Sequence, residues 1–324
     1  MTASAIYLTR IPMPFQAVME ELASAAAEVA VLIRRGGHPE RLEAEGAALE
    51  ERAAARFQSG LQRAGVRWYA SLAEPETLAL NPGGCLAVAM SPLDGAAGLE
   101  TNLALGTIFS IYRATADAEG TFLRAGSELL AAGYVLYGPS TSLVVSFGDG
   151  TQLYRLNPET GQFELIQCRL ALPEESGDFA INTSNYRHWA RPVRAYVDDC
   201  LAGTDGPRAQ NFNMRWVANL VAEAHRILMR GGIYLSPADR RKDNEHGRLH
   251  LLFECAPIAF VIEQAGGRAT DGCESVLRGQ ASQFHERTPF VFGSSEMVDR
   301  VATYHDLPET EVSALFGNRG LFRA

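Results

Sequence analysis

The residues best suited to chemistry begin at Ala89-Met90-Ser91-Pro92-Leu93-Asp94-Gly95-Ala96-Ala97-Gly98. An apolar run that enters Pro-Leu-Asp-Gly predicts a strand ending in a tight turn. Such a turn presents one carboxylate, one carbonyl and several backbone N–H groups together, a set suited to a metal and a phosphate. Taken alone, the same residues also make an ordinary turn. Glu254, in Leu252-Phe253-Glu254-Cys255-Ala256-Pro257, stands where a buried strand should meet a helix N-terminus. Its carboxylate either stabilises the helix end through the dipole or ligates a metal. A basic group follows from Arg215, Arg240, Arg241, Lys242, Arg248 and the more distant Arg187. Guanidinium forks match phosphate oxygens, although a basic cluster is also what a solvated surface looks like. Asn182, Thr183, Ser184 and Asn185 add neutral donors. Arginines and polar donors beside an acidic turn fit a phosphosugar better than a hydride donor. No GxGxxG or GxxxxGK[ST] loop argues for a nucleotide.

These residues need elements to position them. Apolar spacing predicts a helix over 16–35, stopped by Gly36-Gly37-His38-Pro39, and a second, charge-rich helix over 40–64. A charge-rich helix of this kind reads first as a solvated face. From Val66 the texture becomes strand-like: Val66 to Ala70, Leu86 to Met90, Thr107 to Tyr112, Tyr134 to Tyr137, Ser142 to Phe147 and Gln152 to Leu156. A helix is expected around Ser127 to Ala132. Asn157-Pro158-Glu159-Thr160-Gly161 marks a hairpin turn with a return strand over 162–167. Beyond it, helices are expected at Pro192 to Leu201 and Val217 to Met229. A strand follows Gly231-Gly232, and Leu249 to Phe253 leads into a helix at Ala256 to Ala265. The last strand falls at Pro289 to Gly293 and the last helix at 295–304. The texture divides the chain into domains of residues 1–177 and 178–324.

Composition narrows the function classes. The 324 residues carry a net charge of −9 with no long basic run, which speaks against nucleic acid or an anionic membrane as partner. The 5 cysteines are scattered and form no CxxC pair, so neither a disulfide framework nor a zinc site is expected, and four or five of them should be buried. No apolar run is long enough to cross a bilayer, and the N-terminal residues lack the pattern of a signal peptide. A cytoplasmic setting is expected.

The order of motifs is itself informative. Pro92 to Gly95, Gly106-Thr107-Ile108-Phe109-Ser110-Ile111-Tyr112, Ala132 to Gly138, Asn157 to Phe163, Asn213-Met214-Arg215-Trp216-Val217, His225 to Gly232 and Glu263 to Gly267 follow one another at fitting spacing. In that order the chain resembles the class 1 fructose-1,6-bisphosphatases, above all the form found in bacteria that fix carbon dioxide. The resemblance implies an α/β fold, a layered α-β-α-β-α sandwich of the sugar phosphatase type with two α/β domains. It implies a homotetramer, a place in gluconeogenesis or the Calvin cycle, and magnesium ions that bind the 1-phosphate of fructose 1,6-bisphosphate and activate water.

Carried over residue by residue, the resemblance implies metal ligation by Asp94, Glu254 and the Leu93 carbonyl, with Asp94, Glu254 and Glu50 as catalytic groups. Gly95, Asn182, Arg215, Arg241 and Arg248 are implied for substrate, Arg215 reaching a neighbouring subunit. The family's Asp-Pro-Leu-Asp-Gly-Ser-Ser reads Ser91-Pro92-Leu93-Asp94-Gly95-Ala96-Ala97 here, and its Ser-Glu-Glu reads Ser71-Leu72-Ala73. His250 stands for a basic residue near the metals and Ser236 for a tyrosine. Glu74, Glu76 and Glu100 are the carboxylates left nearby to compensate. With so few acids, Mg²⁺ is expected at one weak site or none, and phosphatase activity strongly reduced or lost. The alternative is a non-catalytic phosphosugar-binding or regulatory subunit of an active paralogue.

Overall fold

The computed structural model of this protein describes residues 4–35 and 42–306. The expected stop at Gly36-Gly37-His38-Pro39 lies outside the described residues. Two long helices open the chain, α1 (Gln16–Arg35) and α2 (Leu42–Arg63). Val18, Leu22, Ala26 and Val29 of α1 face Leu49, Ala53, Phe57 and Leu61 of α2, so each helix buries one apolar stripe. The charge-rich α2 is therefore solvated on only one side.

The chain then builds a sheet of eight strands: β1 (Trp68–Ser71), β2 (Leu78–Ala79), β3 (Leu86–Asp94), β4 (Leu105–Arg113), β5 (Ala131–Tyr137), β6 (Thr141–Ser146), β7 (Thr151–Leu156) and β8 (Phe163–Leu170). Their order is β2-β1-β3-β4-β5-β6-β7-β8. Only the β1–β3 pairing is parallel. The short α3 (Ala118–Phe122) interrupts the meander and is capped by Asp117. The central strands are buried on both faces, so they read as continuous apolar runs without alternation.

The second half alternates strands and helices: β9 (Asp178–Ile181), α4 (Arg191–Ala202), β10 (Asn213–Met214), α5 (Leu220–Arg230), β11 (Ile233–Ser236), β12 (Leu249–His250), α6 (Ala256–Gln264), β13 (Arg268–Thr270), β14 (Arg287–Thr288), β15 (Phe290–Gly293) and α7 (Ser295–Asp306). A five-stranded sheet runs β10-β9-β11-β15-β13, and β12 pairs with β14. The apolar faces stack as layers. One core joins α1 and α2 to the large sheet. A second places α5 and α6 between the two sheets. A third covers the far face of the small sheet with α4 and α7. This is the α-β-α-β-α arrangement.

Several local expectations need correction. The segment expected as a helix around Ser127 to Ala132 is a short 3₁₀ turn, Gly126–Glu128, followed directly by β5. Pairing of Ala131 with β4, and of Ala132 with both β4 and β6, draws them into the sheet and overrides their helix propensity. The helix expected from Val217 starts at Leu220, because Ala218 is left-handed (φ 62°) and Asn219 caps the helix. The strand expected over Leu249 to Phe253 is only Leu249–His250, and Leu251–Cys255 forms a π-helical turn that runs into α6. Cys85, Cys168 and Cys273 are exposed, and only Cys200 and Cys255 are buried. Among the described residues no helix is long and apolar enough to cross a membrane.

Candidate functional site

The two sheets and the N-terminus of α5 meet around a cavity of about 320 Å³, within the size range of small-molecule sites. Asp94 and Gly95 enter it from the large sheet. Asn182, Trp216, Asn219, Ser236, Asp239 and Arg248 enter it from the second half.

The acidic end is built by β3. Its register against β4 shifts between Ser91 and Asp94, a bulge that turns the strand end away from its neighbour. Thr107 Oγ1 pins the bulge by donating to the Pro92 carbonyl at 2.7 Å. Gly95 follows with φ 76°, a left-handed conformation open to glycine at little cost. A Cβ there would also collide with Nδ2 of Asn219. Asp94 accepts a hydrogen bond from that Nδ2 at 3.3 Å and another from the Val221 backbone at the start of α5. Desolvation first, and the neighbouring Glu254 second, push the Asp94 carboxyl up to about 7 against those two donors.

Glu254 is buried on the π-helical turn. Such turns are frequent at functional sites. Its Oε2 accepts from the His250 backbone N–H at 2.7 Å and lies 2.8 Å from His250 Nδ1. The His250 ring meets the edge of His285 at 5.8 Å. Burial and the neighbouring His250 lower the His285 imidazole below its usual value, while the Glu74 backbone opposes them.

The remaining acidic candidates stand apart from this pair. Ser71 ends β1, and its hydroxyl accepts from the Ala73 N–H at 3.2 Å. Leu72 packs against the core beneath, whereas Ala73, Glu74, Glu76 and Glu100 are exposed. Glu50 is half-buried on α2, which packs against the Ala96–Gly98 turn, and burial raises its carboxyl above the usual range. Among the described residues no group of three or more His, Cys, Asp or Glu side chains converges as a metal site.

The basic candidates also separate. Arg248 and Asn182 both line the cavity. Asn182 Oδ1 is taken up by Ser184, through its N–H at 3.2 Å and its hydroxyl at 2.6 Å. Arg241 is turned to Asp239, its Nε lying 3.0 Å from Oδ1 and 3.1 Å from Oδ2, with Nη2 also on Oδ2. The guanidinium beside Asp239 holds that carboxyl well below the usual carboxylate range. Arg215 sits outside the cavity lining, largely exposed, with Nε 3.8 Å from Asp178.

Sequence reasoning missed Asn219, Trp216 and Asp239. The Trp216 ring stacks on Tyr234 at 5.9 Å and 9°, and Tyr234 stacks on Phe292. Asn219 Oδ1 accepts from the Ala222 N–H at 2.8 Å, closing the first turn of α5. An asparagine just ahead of Leu220 and Val221 is a readable helix-start signal, hidden here by extending the helix back to Val217.

The sequence and the fold can now be set beside known proteins. The fructose-1-6-bisphosphatase N-terminal domain family matches residues 21–168, and the C-terminal domain family matches residues 172–306. The chain belongs to the fructose-1,6-bisphosphatase family. The class 1 fructose-1,6-bisphosphatase of Paracoccus denitrificans is 56% identical over 330 residues, covering 100% of both chains. A class 1 enzyme of that name from Cereibacter sphaeroides (strain ATCC 17029 / ATH 2.4.9) is 55% identical over 323 residues, covering 97% of each. Among solved structures, the holo form of Leishmania major fructose-1,6-bisphosphatase superimposes with a TM-score of 0.85 at 27% identity, covering 93% of this chain and 97% of that one. Its apo form gives 0.83.

Within this fructose-1,6-bisphosphatase-family fold the fit to a metal is testable on the donor set. Burial first, and the Glu254 carboxylate second, raise the proton affinity of Asp94, which a cation between the two acids would relieve. Asp94 and Glu254 carry the oxygen donors that a hard divalent ion prefers, and among the described residues no third His, Cys, Asp or Glu side chain joins them as a group.

Proposed function

We propose that this member of the fructose-1,6-bisphosphatase family binds a phosphorylated sugar in the cavity and hydrolyses the 1-phosphate of fructose 1,6-bisphosphate at a strongly reduced rate. The observation that carries the reading is the pairing of Asp94 with Glu254 alone, while Ser91, Leu72, Ala73, Ala96 and Ala97 offer no carboxylate and Glu74, Glu76 and Glu100 face solvent.

In this reading Asp94, Glu254 and the Leu93 carbonyl hold one weakly bound Mg²⁺. When bound, such an ion neutralises phosphate charge and lowers the pKa of water. The chain's own groups do the rest. Arg248 supplies the charged fork for phosphate, Asn182 and Ser236 supply neutral hydrogen bonds, and Trp216 offers an aromatic face to the sugar ring. Asp94 accepts a hydrogen bond from a hydroxyl of the bound sugar or water, while Asn219 and the α5 N-terminus hold the carboxylate's orientation. Arg241 reaches the ligand only after leaving Asp239. Glu50 contributes from α2 through the Ala96–Gly98 turn. Assembly as a homo-oligomer, with the exposed Arg215 serving a neighbouring copy, and a cytoplasmic location complete the proposal.

The test is release of inorganic phosphate from fructose 1,6-bisphosphate across Mg²⁺ and Mn²⁺ concentrations, alongside calorimetric titration with the same sugar. The expected result is measurable binding with turnover far below the ordinary range of roughly 1–10³ per second. Turnover inside that range overturns the reduced-rate reading, and absence of binding overturns the ligand.

A further inference from the structure

A group of charged side chains, Glu223, Arg226 and Asp178, lies outside the cavity lining. Glu223, in the first turn of α5, is fully buried. Its Oε1 accepts from the Val217 N–H at 2.6 Å. Its Oε2 accepts from Arg226 Nε at 3.0 Å, with Nη2 at 2.9 Å. Arg226 Nη1 reaches on to Asp178 Oδ2 at 3.4 Å, at the start of β9. A carboxylate buried this deeply is tolerated only when it is paired and hydrogen-bonded, and its partners here are all local.

What the group holds is the segment from Asn213 to Asn219. Asn213 and Met214 pair with β9, and the Arg215 N–H donates to the Phe179 carbonyl at 2.8 Å. Trp216 then turns its ring onto Tyr234. Val217 is tied to Glu223, Ala218 is left-handed at φ 62°, and Asn219 caps α5 while donating to Asp94. An alanine in that conformation is strained and persists only where its surroundings over-determine it. Glu223 grips the strained turn on both sides: its carboxylate takes the Val217 N–H before Ala218, and its own N–H donates to the Asn219 carbonyl at 3.0 Å after it.

We infer that Glu223 and Arg226 are positioning residues for the cavity: they lock the 215–219 turn in the shape that sets Trp216 on its wall and Asn219 against Asp94. The inference rests on the reading of the cavity as a phosphosugar site, but its mechanical part does not. One carboxylate therefore governs both ends of the site, the aromatic wall directly and the Asp94 carboxylate through Asn219. Arg226 fixes the carboxylate rotamer and ties it to β9.

The experiment compares wild type, Glu223→Ala, Glu223→Gln and Arg226→Gln by two readouts on the folded protein. Amide hydrogen exchange of the 213–219 segment reports the turn without any ligand. Calorimetry with fructose 1,6-bisphosphate reports the cavity. Glu223→Ala is expected to speed exchange of the Val217 amide at least tenfold and to weaken binding about tenfold. Glu223→Gln keeps an oxygen for the Val217 N–H and should restore both to within about threefold. Arg226→Gln should fall between them, and it carries the test if Glu223→Ala does not fold. A lowered melting temperature with unchanged exchange and unchanged affinity overturns the inference. If wild type binds no sugar phosphate, the ligand reading fails by itself, and the exchange result still decides the latch.

Discussion

The two ends of the cavity are built from different material. At the Asp94 end, both acids are already engaged: Asp94 with Asn219 and the α5 N-terminus, Glu254 with His250. At the Arg248 end, an arginine, an asparagine, a serine and an indole line the cavity, with the asparagine oxygen held only by nearby Ser184 and the indole stacked on Tyr234. Under the proposed function, the difference is what a fold would show if it kept a recognition surface while its ion-holding centre shrank to one pair. Recognition groups act individually, whereas the ligands of a shared ion act as a unit.

The largest expected effect comes from rebuilding the acidic end. The combination Leu72→Glu, Ala73→Glu, Ser91→Asp, Ala96→Ser and Ala97→Ser should raise phosphate release at matched Mg²⁺ by about 10³-fold, equivalent to about 4 kcal/mol of transition-state stabilisation. Ser91→Asp alone should change it less than about threefold. Ser91 is buried on β3, so the new carboxylate should also lower stability until Mg²⁺ is added. Single substitutions that add up to the combined gain would erase the contrast between the two ends.

The recognition end should answer to single changes. Arg248→Ala is expected to weaken fructose 1,6-bisphosphate binding about 10–100-fold by calorimetry, the effect of losing a charge-assisted hydrogen bond of roughly 1.5–3 kcal/mol. Arg241→Ala should cost less than about threefold, because its guanidinium is committed to Asp239. Equal losses in the two variants would place Arg241 on the ligand.

The hinge between the ends is Gly95. Gly95→Ala demands a left-handed alanine and pushes against Asn219, so denaturant unfolding should show a loss of about 2–3 kcal/mol. A loss under about 0.5 kcal/mol would mean that Asn219 moves aside freely.

The smallest effect is that of pH. Asp94 has its folded-state pKa raised to about 7 from an ordinary 3.8, so its favourable contribution is complete below the ordinary value and is lost as pH rises through about 7. The metal-free protein should melt several degrees lower at pH 8.5 than at pH 5.5. Millimolar Mg²⁺ should reduce that difference, since the ion binds the deprotonated pair. A flat profile would show that the Asp94 carboxyl is not raised by its burial.

Much of this was legible before any coordinates. Residues 16–35 repeat apolar side chains at helical spacing, and α1 spans those residues. The Gly231-Gly232 signal before β11 and the Asn157 to Gly161 hairpin are local chemistry that the neighbours did not overrule. The segment from Leu129 to Ala132 misled because alanine and leucine favour helices in isolation, whereas β4 supplies backbone partners from Leu130 on and β6 joins at Ala132.

The candidate site divides along the same line. Asp94, Gly95, Asn182 and Arg248 could be named from residue type and motif order, and they share one cavity. That Arg241 turns to Asp239, that Trp216 stacks on Tyr234 and that Glu223 holds a strained alanine could not. The sequence by itself determined the family and the layered fold, because these depend on residue identity, order and periodicity. Only the tertiary structure decided which charges are free and which are already satisfied, because pairing depends on side chains far apart in the chain. Asp94 and Asn219 lie 125 positions apart and meet only when the two halves pack together.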